Sequence, residues 1–195
     1  MIRDSDYQGP IRDEPLPIEL HNTLYAVRGE PVDGLADPPG LRWLSALGDR
    51  LPVAVESVDG GRFEELHSLR TSVREALHAA VERRAMSEPA VAHLNELSAR
   101  DPRSPYMTQR GAARASEFRH HALTPTDMLL GVIAASTIEL VSGPRAADLR
   151  ACGAPGCVLM FLKDHPRREW CSAACGNRAR QARHYARSRR PRRHA

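Results

Sequence analysis

Cys152-Gly153-Ala154-Pro155-Gly156-Cys157 and Cys171-Ser172-Ala173-Ala174-Cys175-Gly176-Asn177-Arg178 contain all four cysteines of the 195-residue chain. Thirteen residues separate the two pairs. Two close pairs of thiolates supply a complete tetrahedral shell for one Zn²⁺, each pair holding one side of the ion. Metal binding then contributes directly to folding a segment too small to build a core of its own. The reading is a single structural zinc with Cys152, Cys157, Cys171 and Cys175 as ligands.

Composition sets the context. A hydrophobic content of 42 % and a mean hydropathy of −0.46 describe an ordinary globular chain. No stretch approaches the roughly 20 apolar residues needed to cross a bilayer, so no membrane partner is expected. The opening Met1-Ile2-Arg3-Asp4-Ser5-Asp6 is polar and acidic, unlike a signal peptide. These features predict a cytoplasmic protein with reduced thiols, which favours metal over disulfides. The net charge of +4 is unevenly spread. Residues 150–195 hold 12 Lys and Arg against 2 acids, whereas residues 1–149 hold 16 against 22. An acidic body with a basic end is the pattern of a regulator with a nucleic-acid-binding tail.

Taken in order, residues 1–15 read as a loose charged arm. Leu16, Ile18 and Leu20 alternate with other residues, which predicts a strand, with Pro17 placing it at an edge. Asn22 and Thr23 would organise a turn at its end. Residues 29–40 read as a Gly/Pro/Asp loop before a short helix ending at Gly48. Phe63, Leu66, Leu69, Val73, Leu77 and Val81 fall on one face of a long helix reaching about Arg84. Ser87 is placed to cap a further helix. Tyr106 to His121, broken near Gly111, reads as a two-stranded hairpin, and adjacent His120 and His121 make a poor metal pair. Thr124-Pro125-Thr126-Asp127 starts an apolar helix that runs to Gly143-Pro144 and is expected to be central and buried. Residues 144–150 read as a short helical link.

Within the C-terminal module, Val158–Lys163 and the residues up to Trp170 predict two short strands around a turn. Phe161 and Trp170 are the expected packing residues. Ser172 is placed to cap a helix with Cys175 in its first turn, where the positive helix end favours a thiolate. The four cysteines fill the site, so neither His165 nor His184 is assigned to it. Arg180, Arg183, His184 and Arg187 share one helix face by their spacing. Arginine forks two donors onto phosphate or guanine. The candidate nucleic-acid contacts are Asn177, Arg178, Arg180, Arg183, Arg187, Arg189 and Arg190.

The run Arg168-Glu169-Trp170-Cys171-Ser172-Ala173-Ala174-Cys175-Gly176-Asn177-Arg178 resembles the CGNR zinc-finger family. Leu16-Pro17-Ile18-Glu19-Leu20-His21-Asn22-Thr23 is similar to the opening of the ABATE domain that usually precedes it, and Leu149-Arg150-Ala151-Cys152 resembles the family's join. The resemblance implies the same four cysteine ligands and a DNA-binding transcription regulator of the stress response. It implies an N-terminal half that senses a ligand or mediates assembly. The expected fold is α+β: a mostly helical N-terminal domain with a small sheet, then a treble-clef-like four-cysteine finger. The expected divisions are an arm (1–15), an ABATE-like domain (16–149), the finger with its basic helix (150–190) and a basic tail (191–195). Expected partners are double-stranded DNA, an unidentified small-molecule effector and a second copy docked through the body. An RNA- or ribosome-associated zinc protein is the alternative. No phosphate-binding glycine loop, nucleophile elbow or His-Glu metal motif is present, so an enzyme is not expected.

Overall fold

The computed structural model describes residues 7–36, 41–110 and 113–188. Its first element is a helix, α1 (Leu16–His21), where alternation predicted a strand. Two facts explain the difference. Pro15 and Pro17 sit at the helix entrance, where no backbone N–H is required of them. Pro17, Ile18, Glu19, Leu20 and His21 are all buried, so α1 has no solvent face and no 3.6-residue period to read. Beyond it, β1 (Leu24–Val27) and β2 (Glu30–Asp33) form an antiparallel hairpin in part of the stretch expected to be loop. Its turn uses Arg28 and Gly29, both at positive φ.

Three helices form the scaffold as the sequence predicts: α3 (Phe63–Glu82), α4 (Glu88–Ala99) and α5 (Pro125–Ser142), with the short α2 (Leu41–Leu47) beside them. Thr124 Oγ1 accepts from the Asp127 N–H at 3.1 Å and so caps α5 as expected. Ser87 stands at the N-cap of α4 but makes no side-chain cap bond. With 18 residues and a hydropathy of 1.2, α5 reaches the length and composition of a membrane-crossing helix, yet half of it is buried against the rest of the fold. Asp101 lies against Gly131 of α5, where a Cβ would come within 2.5 Å of the Asp101 Cβ. The hairpin expected after Pro105 is β3 (Arg103–Arg110) paired with β4 (Ala113–His120). The break near Gly111 lies outside the described residues. His120 and His121 diverge, as adjacent strand-end residues do: His120 pairs with Asp101 at 2.6 Å and His121 contacts Ser104 at 2.8 Å.

Buried polar groups tie these elements together. Arg70 of α3, 6 % exposed, forks onto Asp33 of β2 and donates to Thr23 Oγ1. Its guanidinium holds the Asp33 carboxyl below the usual carboxylate range. The fully buried Glu19 accepts from the Arg12 and Glu14 N–H groups and from Arg50. His21 Nδ1 lies 3.0 Å from Asn22 Oδ1, while its Nε2 lies 3.4 Å from both Arg74 and His78. Burial, and then the Arg74 charge, lower the His21 pKa to about 3. The ring is therefore neutral in the fold, whereas the unfolded chain takes up its proton near 6.5. The contribution of His21 is complete above about pH 6.5 and is lost progressively as pH falls toward 3. Urea denaturation should show wild type losing about 1 kcal/mol more than a His21→Gln variant between pH 7 and 5.5. Equal losses in the two proteins would contradict this.

The C-terminal module is built onto this body. A 3₁₀ turn (Pro144–Asp148) leads from α5 into β5 (Leu149–Ala151), which pairs with β6 (Met160–Leu162). The finger hairpin therefore encloses the first cysteine pair, and no strand occurs at 163–172 where a second was expected. The outer edge of β6 is taken by side chains of the N-terminal segment. Asn22 Nδ2 donates to the Met160 carbonyl at 3.0 Å and Asn22 Oδ1 accepts from the Met160 N–H at 2.9 Å. Two residues on, Glu14 Oε2 accepts from the Leu162 N–H at 3.0 Å. Arg168 then closes the edge by bonding both the Leu162 carbonyl and Glu14. Leu149, Met160 and Leu162 belong to the same apolar core as α1, α3 and α5. The helix α6 (Ala173–Ser188) completes the chain.

Candidate metal centre and basic helix

The first cysteine pair sits on a tight loop between β5 and β6. Its backbone is fixed by the Cys152 N–H donating to Leu159 O at 2.9 Å and the Cys157 N–H donating to Ala154 O at 3.0 Å. Gly156 turns the chain at a φ of 70°, a conformation that costs glycine little. The second pair straddles the start of α6. Ser172 Oγ accepts from the Cys175 N–H at 3.3 Å, the cap its position predicted. These two supports bring all four Sγ atoms within 4.8 Å of one another.

The arrangement fits one zinc. A Zn–S bond of about 2.3 Å implies a tetrahedral S···S edge of about 3.8 Å. Cys157 and Cys171 are 3.8 Å apart, and Cys171 and Cys175 are 3.4 Å apart. The Cys171 S–H bonded to Cys157 lowers the Cys157 thiol to about 5, while that bond and burial push Cys171 up. Burial also raises Cys152. Four negative sulfurs in this space require a dication, which is the chemistry zinc supplies. Arg178 adds a further positive charge, its Nη2 donating to Cys175 Sγ at 3.2 Å.

Each remaining residue of the 175–178 run has a geometric reason. A Cβ on Gly176 would lie 3.0 Å from Trp170 Cδ1, so glycine lets the tryptophan close over the helix start. Asn177 Oδ1 accepts from Arg180 Nη2 at 2.5 Å and orients that guanidinium. Phe161 and Trp170 pack beside the metal cluster as expected, and Tyr25 of β1 joins them from the body. Arg168 lies over the Phe161 ring at 4.9 Å and Arg183 over Trp170 at 6.0 Å.

Past Ala179, α6 leaves the body. Arg180, Gln181, Arg183, His184, Tyr185 and Arg187 are all exposed, which places the predicted basic face in solvent. Of the candidate contacts, Asn177 and Arg178 have partners inside the module. Arg180, Arg183 and Arg187 share the outer face, and Arg189 and Arg190 lie outside the described residues. Sequence reasoning did not single out Glu14, Tyr25 or Arg168, and read Asn22 as a turn residue. Their signal was limited to polar or aromatic residues set in apolar surroundings. A cleft of about 380 Å³ separates the N-terminal segment from the cysteine loop, lined among others by Ile11, Tyr25, Val158, Ser172 and Arg178.

A family model described as "Putative stress-induced transcription regulator" (ABATE) matches residues 14–144. The chain belongs to the ABATE family. A second model, the CGNR zinc finger, matches residues 149–188, so the arrangement of ABATE domain followed by CGNR finger is that of this chain. No curated protein matches it significantly. Neither family is an enzyme family. The four cysteines of this CGNR finger are positioned to bind one metal ion, consistent with one structural zinc.

Proposed function

We propose that this ABATE protein is a cytoplasmic, zinc-dependent regulator of transcription that binds duplex DNA through α6. The carrying observation is the exposed arginine face of a helix whose start is flanked by two metal-cluster cysteines, Cys171 just before it and Cys175 in its first turn. Zinc sets the direction of α6, the Ser172 cap and Trp170 fix its base, and Arg180, Arg183 and Arg187 reach the polyanion. Asn177 and Arg178 stand at the root of this face, where they orient Arg180 and balance the thiolate charge. Phosphate neutralisation supplies most of the affinity, and base-edge contacts by arginine supply discrimination. The protein acts by binding, and its zinc is structural, because four cysteines leave no open coordination position. An effector in the cleft between the N-terminal segment and the cysteine loop would touch body and finger together, which suits a sensing role.

The test is the salt dependence of binding. Each phosphate neutralised contributes about 0.9 to the slope of log K against log salt. An Arg180→Ala/Arg183→Ala/Arg187→Ala variant should lose about 2 to 3 from that slope on duplex DNA. An unchanged slope and affinity would remove α6 from the interface. Equal or tighter binding to structured RNA at the same salt would favour the RNA reading.

A further inference from the structure

The second basic element of the molecule lies in the ABATE domain, far in sequence from the finger. Strands β3 and β4 pair over eight residues each, from Arg103↔His120 to Arg110↔Ala113. The ribbon is fastened at its base by His120 on Asp101 and by Arg103 on Glu139 of α5, 2.9 Å apart. Beyond that base, residues 105–109 and 114–119 are all exposed. A bare two-stranded hairpin is marginal in water and buries no core, so this arm contributes little to the fold that carries it.

Its side chains identify the partner. Residues 103–120 hold four arginines and one glutamate, whereas the rest of residues 1–149 holds 12 arginines against 21 acids. A basic arm on an acidic body complements a polyanion. On one face, Arg119 lies 3.2 Å from the centre of the Tyr106 ring. Stacking covers the flat of the guanidinium and leaves its N–H edge for phosphate or guanine. Met107 and Phe118, 66 % and 63 % exposed, share the other face with Arg114 by register. Charges protect exposed strand edges in general, but that purpose needs neither arginine nor exposed aromatic rings. A dimer interface would deplete charge at its centre, and here arginine alternates with the apolar groups.

We propose that the β3–β4 ribbon is a second DNA-binding element, which tracks a groove of the same duplex that α6 binds. The proposal rests on the DNA-binding reading of α6. A strand of eight residues extends about 26 Å, and the major groove is wide enough for a two-stranded ribbon. Met107 and Phe118 supply apolar contacts to thymine methyl groups or to an opened base step.

The experiment uses the zinc-loaded full chain, a random-sequence duplex as probe, and an Arg114→Ala/Arg119→Ala variant. Among the described residues neither arginine forms an ion pair, so the variant should keep the wild-type circular dichroism and melting temperature. The expected result is a salt slope reduced by about 2 and affinity lowered about tenfold, with a shorter footprint than wild type gives. Wild-type slope and affinity in this variant, together with weakened binding by the α6 triple variant, would overturn the ribbon and leave α6 standing. Absence of duplex binding by wild type would overturn both. A variant that shifts from dimer to monomer in sedimentation with its salt slope unchanged would overturn the proposal in favour of a self-association arm.

Discussion

A Cys171→Ser protein is expected to hold less than about one tenth of an equivalent of zinc, against one in wild type, and to lose DNA binding by 100-fold or more. Cys171 Sγ lies 3.8 Å from Cys157 and 3.4 Å from Cys175, so its loss removes one corner of the tetrahedral shell. Structural zinc sites supply about 10–16 kcal/mol of apparent binding energy in isolated fingers, far more than so small a module recovers by packing. The effect should not stop at the finger. Met160 and Leu162 of β6 fill the core formed by α1, α3 and α5, and disorder in the cysteine loop loosens that strand. The melting midpoint of the whole chain should fall by about 10 °C, the change that roughly 3–5 kcal/mol produces at this size. Metal content by elemental analysis, with calorimetry on the same samples, checks both parts. A variant that loses zinc yet melts at the wild-type temperature would show that body and finger are energetically independent.

The second large effect belongs to Asn22. Its amide makes both available bonds to the Met160 backbone and stands in for a neighbouring strand. In an Asn22→Ala protein a buried N–H and a buried C=O lose their partners, at about 1–3 kcal/mol each. The His21 Nδ1–H loses its acceptor as well. Urea denaturation should show a loss of about 2–5 kcal/mol. A loss under about 0.5 kcal/mol in the alanine variant would mean that water replaces the amide and that the latch is weak.

What could be read in advance divides along a physical line. The long helices α3, α4 and α5 announce themselves because each has apolar positions at helical spacing or a start signal such as Thr124-Pro125. The cysteine spacing announces the metal site because ligand geometry is local. The misread elements are those governed by distant partners. In α1, burial on every side erases periodicity, and Glu19 and His21 look like surface residues until Arg50 and Asn22 are seen to satisfy them. The β1–β2 hairpin hides in a stretch rich in glycine and proline. The sequence places the finger hairpin after Cys157 because Val158–Leu162 carries an obvious strand signal, whereas its partner, Leu149–Ala151, precedes Cys152. Polar side chains at 14 and 22 complete the sheet edge from about 140 residues away. No local pattern encodes that.

One titration tests most directly the proposal that the zinc-ordered arginine helix binds DNA. Fluorescence anisotropy of a labelled random-sequence duplex should be followed against the zinc-loaded 195-residue chain, and then against the same chain after chelation and after zinc is restored. Binding that weakens steeply with salt, falls at least 100-fold on chelation and returns with zinc is the predicted result. Duplex binding that is unchanged by complete removal of zinc would contradict it.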